Sequence, residues 1–272
     1  MTSALDTDLP ARTHHLPAAV LVAVATALLV VLPEQYGDRG RLAAVAVLQA
    51  GLVAAWVLAT GVRGLAGSVA VGLAAAAGAD VLLVLPERPE LGALLAVPGL
   101  GFLAAVLHQM LRRPPRREVV PSLAGVVLLV CGVCALAVLL LLEPSADGDR
   151  PADSALLVVG VALVVGHLVD LVLPRPQVAA EVPRGVPGLL LAVVAAVVVA
   201  VVQHGETDLV DTLAALTYGG VLGTVAALVG LAASYVVAEG TRHRWAMPVV
   251  QAVLPIAACA PVAFSLALQP AF

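Results

Sequence analysis

The chain has 272 residues, 61% of them hydrophobic and 12% charged, with a formal net charge of -4. Soluble domains carry about 25% charged residues, and a water-soluble fold of this length cannot hide so much apolar surface, so lipid must be part of the solvent. Disorder, a disulfide-rich secreted scaffold and a nucleic-acid-binding domain are excluded.

Hydropathy predicts nine transmembrane helices in chain order, after a polar tail over 1–15 that does not read as a cleavable signal. They are Leu16–Leu32, Leu42–Thr60, Leu65–Leu85, Leu91–Leu111, Val119–Leu142, Ser154–Leu173, Gly188–Val202, Leu213–Val237 and Met247–Leu268. Most are about as long as the roughly 20 residues that a span needs, and the first and seventh are short, near the lower limit for spanning. No alternation suggests a barrel. The expected fold class is all-α: a polytopic helical bundle over 16–268, with a short external tail at 269–272. Arg113-Pro114, Glu118, Pro121 and Gly125 parallel Arg175-Pro176, Glu181, Pro183 and Gly188, so 91–142 and 154–202 read as possible hairpin repeats.

Orientation follows from the arginines, which are the chain's only strongly basic residues. One set of loops holds Arg12, Arg63, Arg112, Arg113, Arg116, Arg117, Arg175, Arg184, Arg242 and Arg244. The other holds Arg39, Arg41, Arg88 and Arg150. The richer set is expected inside. That puts the N-terminus in the cytoplasm and the C-terminus outside. A lysine-free, Ala-, Val-, Leu- and Gly-rich chain suits a GC-rich bacterial genome and the bacterial cytoplasmic membrane.

Packing signals accompany the spans. Gly219-x-x-x-Gly223 permits close helix approach. Pro98-Gly99, Pro255 and Pro261 are expected to bend their helices. Trp56 and Trp245 are expected to offer indole N–H groups to the headgroup region. Cys131, Cys134 and Cys259 lie in apolar runs and read as packing residues.

Ionisable groups inside spans are functional candidates. Asp80 sits near the outer end of the third span and is expected to snorkel to the interface. Gln49, mid-span, is expected to bond a neighbouring helix. His167 and Asp170, three residues apart, share one face of the sixth span. A carboxylate beside an imidazole fixes its tautomer, which suits a proton relay or half of a metal site. His108 ends the fourth span at a similar depth, so the three are weak catalytic candidates converging on one pocket. Arg112, Arg113, Arg116 and Arg117, with Arg184, are expected to bind anionic lipid headgroups. No phosphate-binding loop, dinucleotide fingerprint, zinc-protease or serine-elbow motif is present, and neither a cofactor nor a metal is expected.

Over about residues 100–268 the chain resembles the phosphatidate cytidylyltransferase (CDP-diacylglycerol synthase) family. The loop from Arg175-Pro176 through Pro183-Arg184-Gly185 is similar to that family's Ser-Pro-Lys-Lys-Ser/Thr-x-Glu-Gly loop. Leu222-Gly223 through Ser234-Tyr235-Val236-Val237 resembles the helix ending in Gly-Asp-Leu-x-Glu-Ser. Gln251-Ala252-Val253-Leu254-Pro255 resembles Asp-x-x-Leu-Pro at the start of the last helix. The resemblance implies a lipid enzyme using CTP, phosphatidic acid and divalent metal. The departures fall on its working residues. Val182, Gly188, Ser234, Pro248 and Gln251 stand where serine and carboxylates belong. The expectation is therefore a non-catalytic bundle that binds membrane lipids or a membrane-protein partner. The alternatives are a divergent lipid-modifying enzyme and a small-molecule or proton-coupled transporter.

Overall fold

The computed structural model describes residues 14–114, 117–142, 151–179, 182–204, 208–238, 243 and 245–269. Among them it is all-helical, without a strand. The helices are α1 His15–Thr60, α2 Leu65–Val84, α3 Ala96–Leu111, α4 Val119–Ala137, α5 Pro151–Val172, α6 Val186–His204, α7 Leu209–Ala238 and α8 Ala246–Ala267. Short 3-10 turns precede α3 at Leu91–Leu95 and follow α4 at Val138–Leu141. Eight of these segments are long and apolar enough to cross a membrane.

The first two expected spans fall on the single stretch α1, 46 residues long. At about 1.5 Å per residue it would measure roughly 69 Å if straight, more than twice a ~30 Å hydrocarbon core. It is not straight. Gly37 leaves helical geometry at φ 58°, ψ -139°, a conformation open to glycine and few other residues. Three residues later a side chain on Gly40 would overlap the backbone carbonyl of Leu32. Residues eight apart on a straight helix are about 12 Å apart along the axis, so the chain turns back on itself at Gly37.

Helices α2, α3 and α4 pack on one another, and α2 and α4 also pack on α1. Helix α5 packs on α6, α7 and α8, and α7 on α6 and α8, while α1 lies against α2, α4, α5 and α8, and α8 against α4. Small residues set how closely they meet. Side chains at Gly219 and Gly223 of α7 would run into Ala196, Val197 and Val193 of α6, so the expected close approach is made with α6. One packing expectation is corrected. Trp56 does not face the headgroups: it is 4% exposed and donates its indole N–H to the Gly125 carbonyl at 2.8 Å. Trp245 remains exposed. The cysteines are unpaired, with Cys134 and Cys259 buried and Cys131 exposed.

The loop from α5 to α6 positions the candidate site. It folds as a small hairpin, in which Val178 N–H donates to the Arg184 carbonyl at 2.9 Å and Val186 N–H to the Pro176 carbonyl at 2.8 Å. Gly185 closes it. A side chain there would meet the Leu173 and Pro174 carbonyls at 3.0 and 3.1 Å. The hairpin carries Arg184 back towards the end of α5.

Candidate functional site: a buried polar cluster

Among the described residues Arg184 is the largest fully buried side chain, at 2% exposure. This corrects its expected place among the headgroup-binding arginines. Two glycines make room for it. Side-chain carbons at Gly166 of α5 and Gly230 of α7 would lie 3.5 and 3.2 Å from the guanidinium nitrogens.

Three of its five N–H donors have partners. Nη1 donates to Asp170 Oδ2 at 3.1 Å, Nε to Ser234 Oγ at 3.0 Å, and Nη2 meets His167 Nε2 at 3.3 Å. Ser234 passes its own proton to the Gly230 carbonyl at 2.9 Å. The second oxygen of Asp170 accepts the Gly185 backbone N–H at 2.9 Å. Both carboxylate oxygens are thereby used, and Asp170 is fully buried. A side chain on Gly188 would overlap that carboxylate, so α6 presses directly on it. Burial pushes the Arg184 guanidinium down from its ordinary value, and the charge of Asp170 opposes the shift. Arginine loses its proton too reluctantly to become neutral here.

The donors assign the histidines. A guanidinium N–H only donates, so His167 Nε2 accepts and its proton sits on Nδ1. That proton points at His15 Nδ1, 3.3 Å away, with the rings tilted at 49°. His15 opens α1 and is 2% exposed. Sequence reasoning passed over it; its only signal is its place at the edge of the first apolar run. The cluster thus ties α1, α5, the α5–α6 hairpin and α7 together. The backbone of Gln251 on α8 lies beside His167.

His108 does not join this cluster, which corrects the expected convergence. Its Nε2 donates to the Gly64 carbonyl at 3.1 Å, and its ring lies across Gly67. Around the α1–α2 turn, Gln109 Nε2 donates to the Arg63 carbonyl at 3.3 Å and Arg112 Nη1 to Gln109 Oε1 at 2.6 Å. Arg63 Nε donates to Glu118 Oε2 at 2.8 Å. That hydrogen bond, with the arginine charge, holds the Glu118 carboxyl below its usual range. Arg113 and Arg117 are exposed, and Arg112 is half-buried. Arg116 lies outside the described residues.

Asp80 and Gln49, expected as separate features, meet. Gln49 Nε2 donates to Asp80 Oδ1 at 2.9 Å and to the Val133 carbonyl at 3.1 Å. Asp80, half-buried near the end of α2, thus has a partner on the neighbouring helix α1.

The divalent metal implied by the family resemblance does not fit these residues. Asp170 is committed to a guanidinium and a backbone N–H, and its neighbours Ser234 and Gly188 offer no carboxylate. Among the described residues no three His, Cys, Asp or Glu side chains are grouped to hold a metal ion. Searches against protein-family models, curated proteins and solved structures found no match.

Proposed function

We propose that the chain is a non-catalytic scaffold on a cytidylyltransferase-like bundle in a bacterial cytoplasmic membrane. It holds anionic lipid headgroups, or a membrane partner, at the basic loop over residues 112–117. The carrying observation is the charge balance of the buried cluster. Arg184 and Asp170 neutralise each other at 3.1 Å. A nucleotidyl-transfer site instead gathers carboxylates around metal ions that neutralise a triphosphate.

The positions matched to the family's motifs supply further support. Arg184, Gly188, Ser234 and Gln251 come from three separate stretches of sequence, and all four lie in or beside the cluster. Serine, glycine and glutamine at those places preserve packing and omit charge.

The topology of this reading is nine crossings with the N-terminus inside. The reversal at Gly37 supports it by dividing α1 into two limbs, 15–36 and 38–60. Each limb exceeds the lower limit of about 17 residues for a span. The arginine-rich loops then fall on the cytoplasmic face. Arg113 and Arg117 are exposed there, whereas Arg184 is not.

Purified protein incubated with CTP, phosphatidic acid and magnesium is expected to form no CDP-diacylglycerol above a protein-free control. Lipid mass spectrometry reads the product. Turnover that disappears in Asp170→Asn while the variant stays folded would overturn the non-catalytic reading.

A further inference from the structure

The contact between Asp80 and Gln49 leaves an imbalance that nothing else among the described residues resolves. A primary amide carries two N–H donors and one carbonyl oxygen. Both donors of Gln49 are used, one on Asp80 Oδ1 and one on the Val133 carbonyl. Because both partners are acceptors, the amide cannot be flipped without losing both bonds. Its carbonyl oxygen Oε1 then has no donor, although Gln49 is only 1% exposed. Buried polar atoms in native proteins almost always find a partner, and leaving one unmade costs about 1–3 kcal/mol.

Asp80 has the complementary problem. It lies inside α2, in an apolar segment where an ionised carboxylate is costly. No ion pair to it exists among the described residues. The nearest strongly basic residue on α1 beyond Gln49, Arg41, faces Asp38 at 3.9 Å. The site therefore holds a surplus of acceptors, lacks a donor, and carries an uncompensated negative charge. One proton resolves all three. Placed on Asp80, it neutralises the carboxyl and turns an acceptor into an O–H donor, the kind of group that Gln49 Oε1 lacks.

We propose that Asp80 and Gln49 form an intramembrane proton-binding site, with the proton on Asp80 and the amide of Gln49 as its acceptor. It goes beyond the scaffold reading and does not rest on it. The surroundings leave few other groups to take the proton. On α4 the thiol of Cys134 lies within electrostatic reach of both Asp80 and Cys131. The two 3-10 turns against α2 contain only Leu, Gly, Ala and Val. The one titratable residue of α3, His108, is held at the Gly64 end.

Infrared difference spectroscopy of the full chain in lipid nanodiscs tests this at pH 7. An ordinary aspartate, with a pKa of about 3.9, is protonated there in only about one molecule in a thousand. The expected result is a carboxylic-acid C=O band at pH 7 that is absent from Asp80→Asn and moves to higher wavenumber in Gln49→Leu. An arm on the wild-type protein covers the case that either variant fails to fold. Dicyclohexylcarbodiimide, which attacks protonated carboxyls in apolar surroundings, is expected to label Asp80 and to spare the exposed Asp38, as read by peptide mass spectrometry. A purely ionised carboxylate signal at pH 7, with Asp80 unlabelled, would overturn the proposal.

Discussion

Arg184→Ala is expected to destabilise the bundle by about 3–5 kcal/mol, the cost of stranding one half of a buried ion pair. The substitution removes the donor on Asp170 Oδ2, the donor on Ser234 Oγ and the partner of His167 Nε2. Asp170 would be left charged and fully buried with only the Gly185 N–H. Arg184→Lys is expected to recover little. An ammonium is a single point, and the three partners are arranged around a planar fork. The double variant Arg184→Met with Asp170→Leu removes both charges and is expected to be more stable than Arg184→Ala, since a buried pair can often be exchanged for apolar side chains. Thermal unfolding in mild detergent reads all three. A loss below about 1 kcal/mol in Arg184→Ala, the range of an exposed pair, would show that the cluster is open to water.

Gly219→Val is expected to cost about 1–3 kcal/mol, the usual penalty for overfilling a packed contact. A side-chain carbon at Gly219 would lie 2.7 Å from both the Ala196 carbonyl oxygen and the Val197 Cα. Both are backbone atoms, so no rotamer change relieves the clash and α6 must move away from α7. Gly220 supplies the control. It is the next residue on the same helix, and a side chain there meets nothing within 4 Å. Gly220→Val is therefore expected to leave the melting temperature nearly unchanged. Equal losses at the two positions would mean that helix propensity, and not the close approach, sets the cost.

The helices were legible because each needs only a long apolar run, and composition alone carries that signal. The reversal at Gly37 was legible in part. The short polar stretch around it separated two expected spans, but the backbone stays helical on both sides up to a single residue. The cluster was half legible. His167 and Asp170 stood out by helical spacing, and the spacing was right. Arg184 was misplaced for a physical reason. A basic residue in a basic loop looks like a surface anchor, and only the folding of that loop turns it inward. The space it enters is made by Gly166 and Gly230, which lie 18 residues before and 46 residues after it in the sequence. His108 was misplaced by depth alone. Two groups at one depth share a pocket only if their helices touch, and α3 packs with α2 and α4. Gln49 and Asp80 were each legible as polar groups in spans, but their pairing depends on how α1 and α2 are turned.

In the proposed scaffold the exposed arginines of the loop after α3 hold anionic headgroups and the buried Arg184 does not. Native mass spectrometry of the full chain, offered phosphatidic acid and phosphatidylcholine at equal concentration, measures it directly. The expected result is preferential retention of phosphatidic acid. It should weaken by roughly 30-fold in Arg113→Gln with Arg117→Gln, for about 1 kcal/mol per arginine near an anionic surface. Equal retention of the two lipids, or an anionic preference untouched by the double substitution, would contradict it.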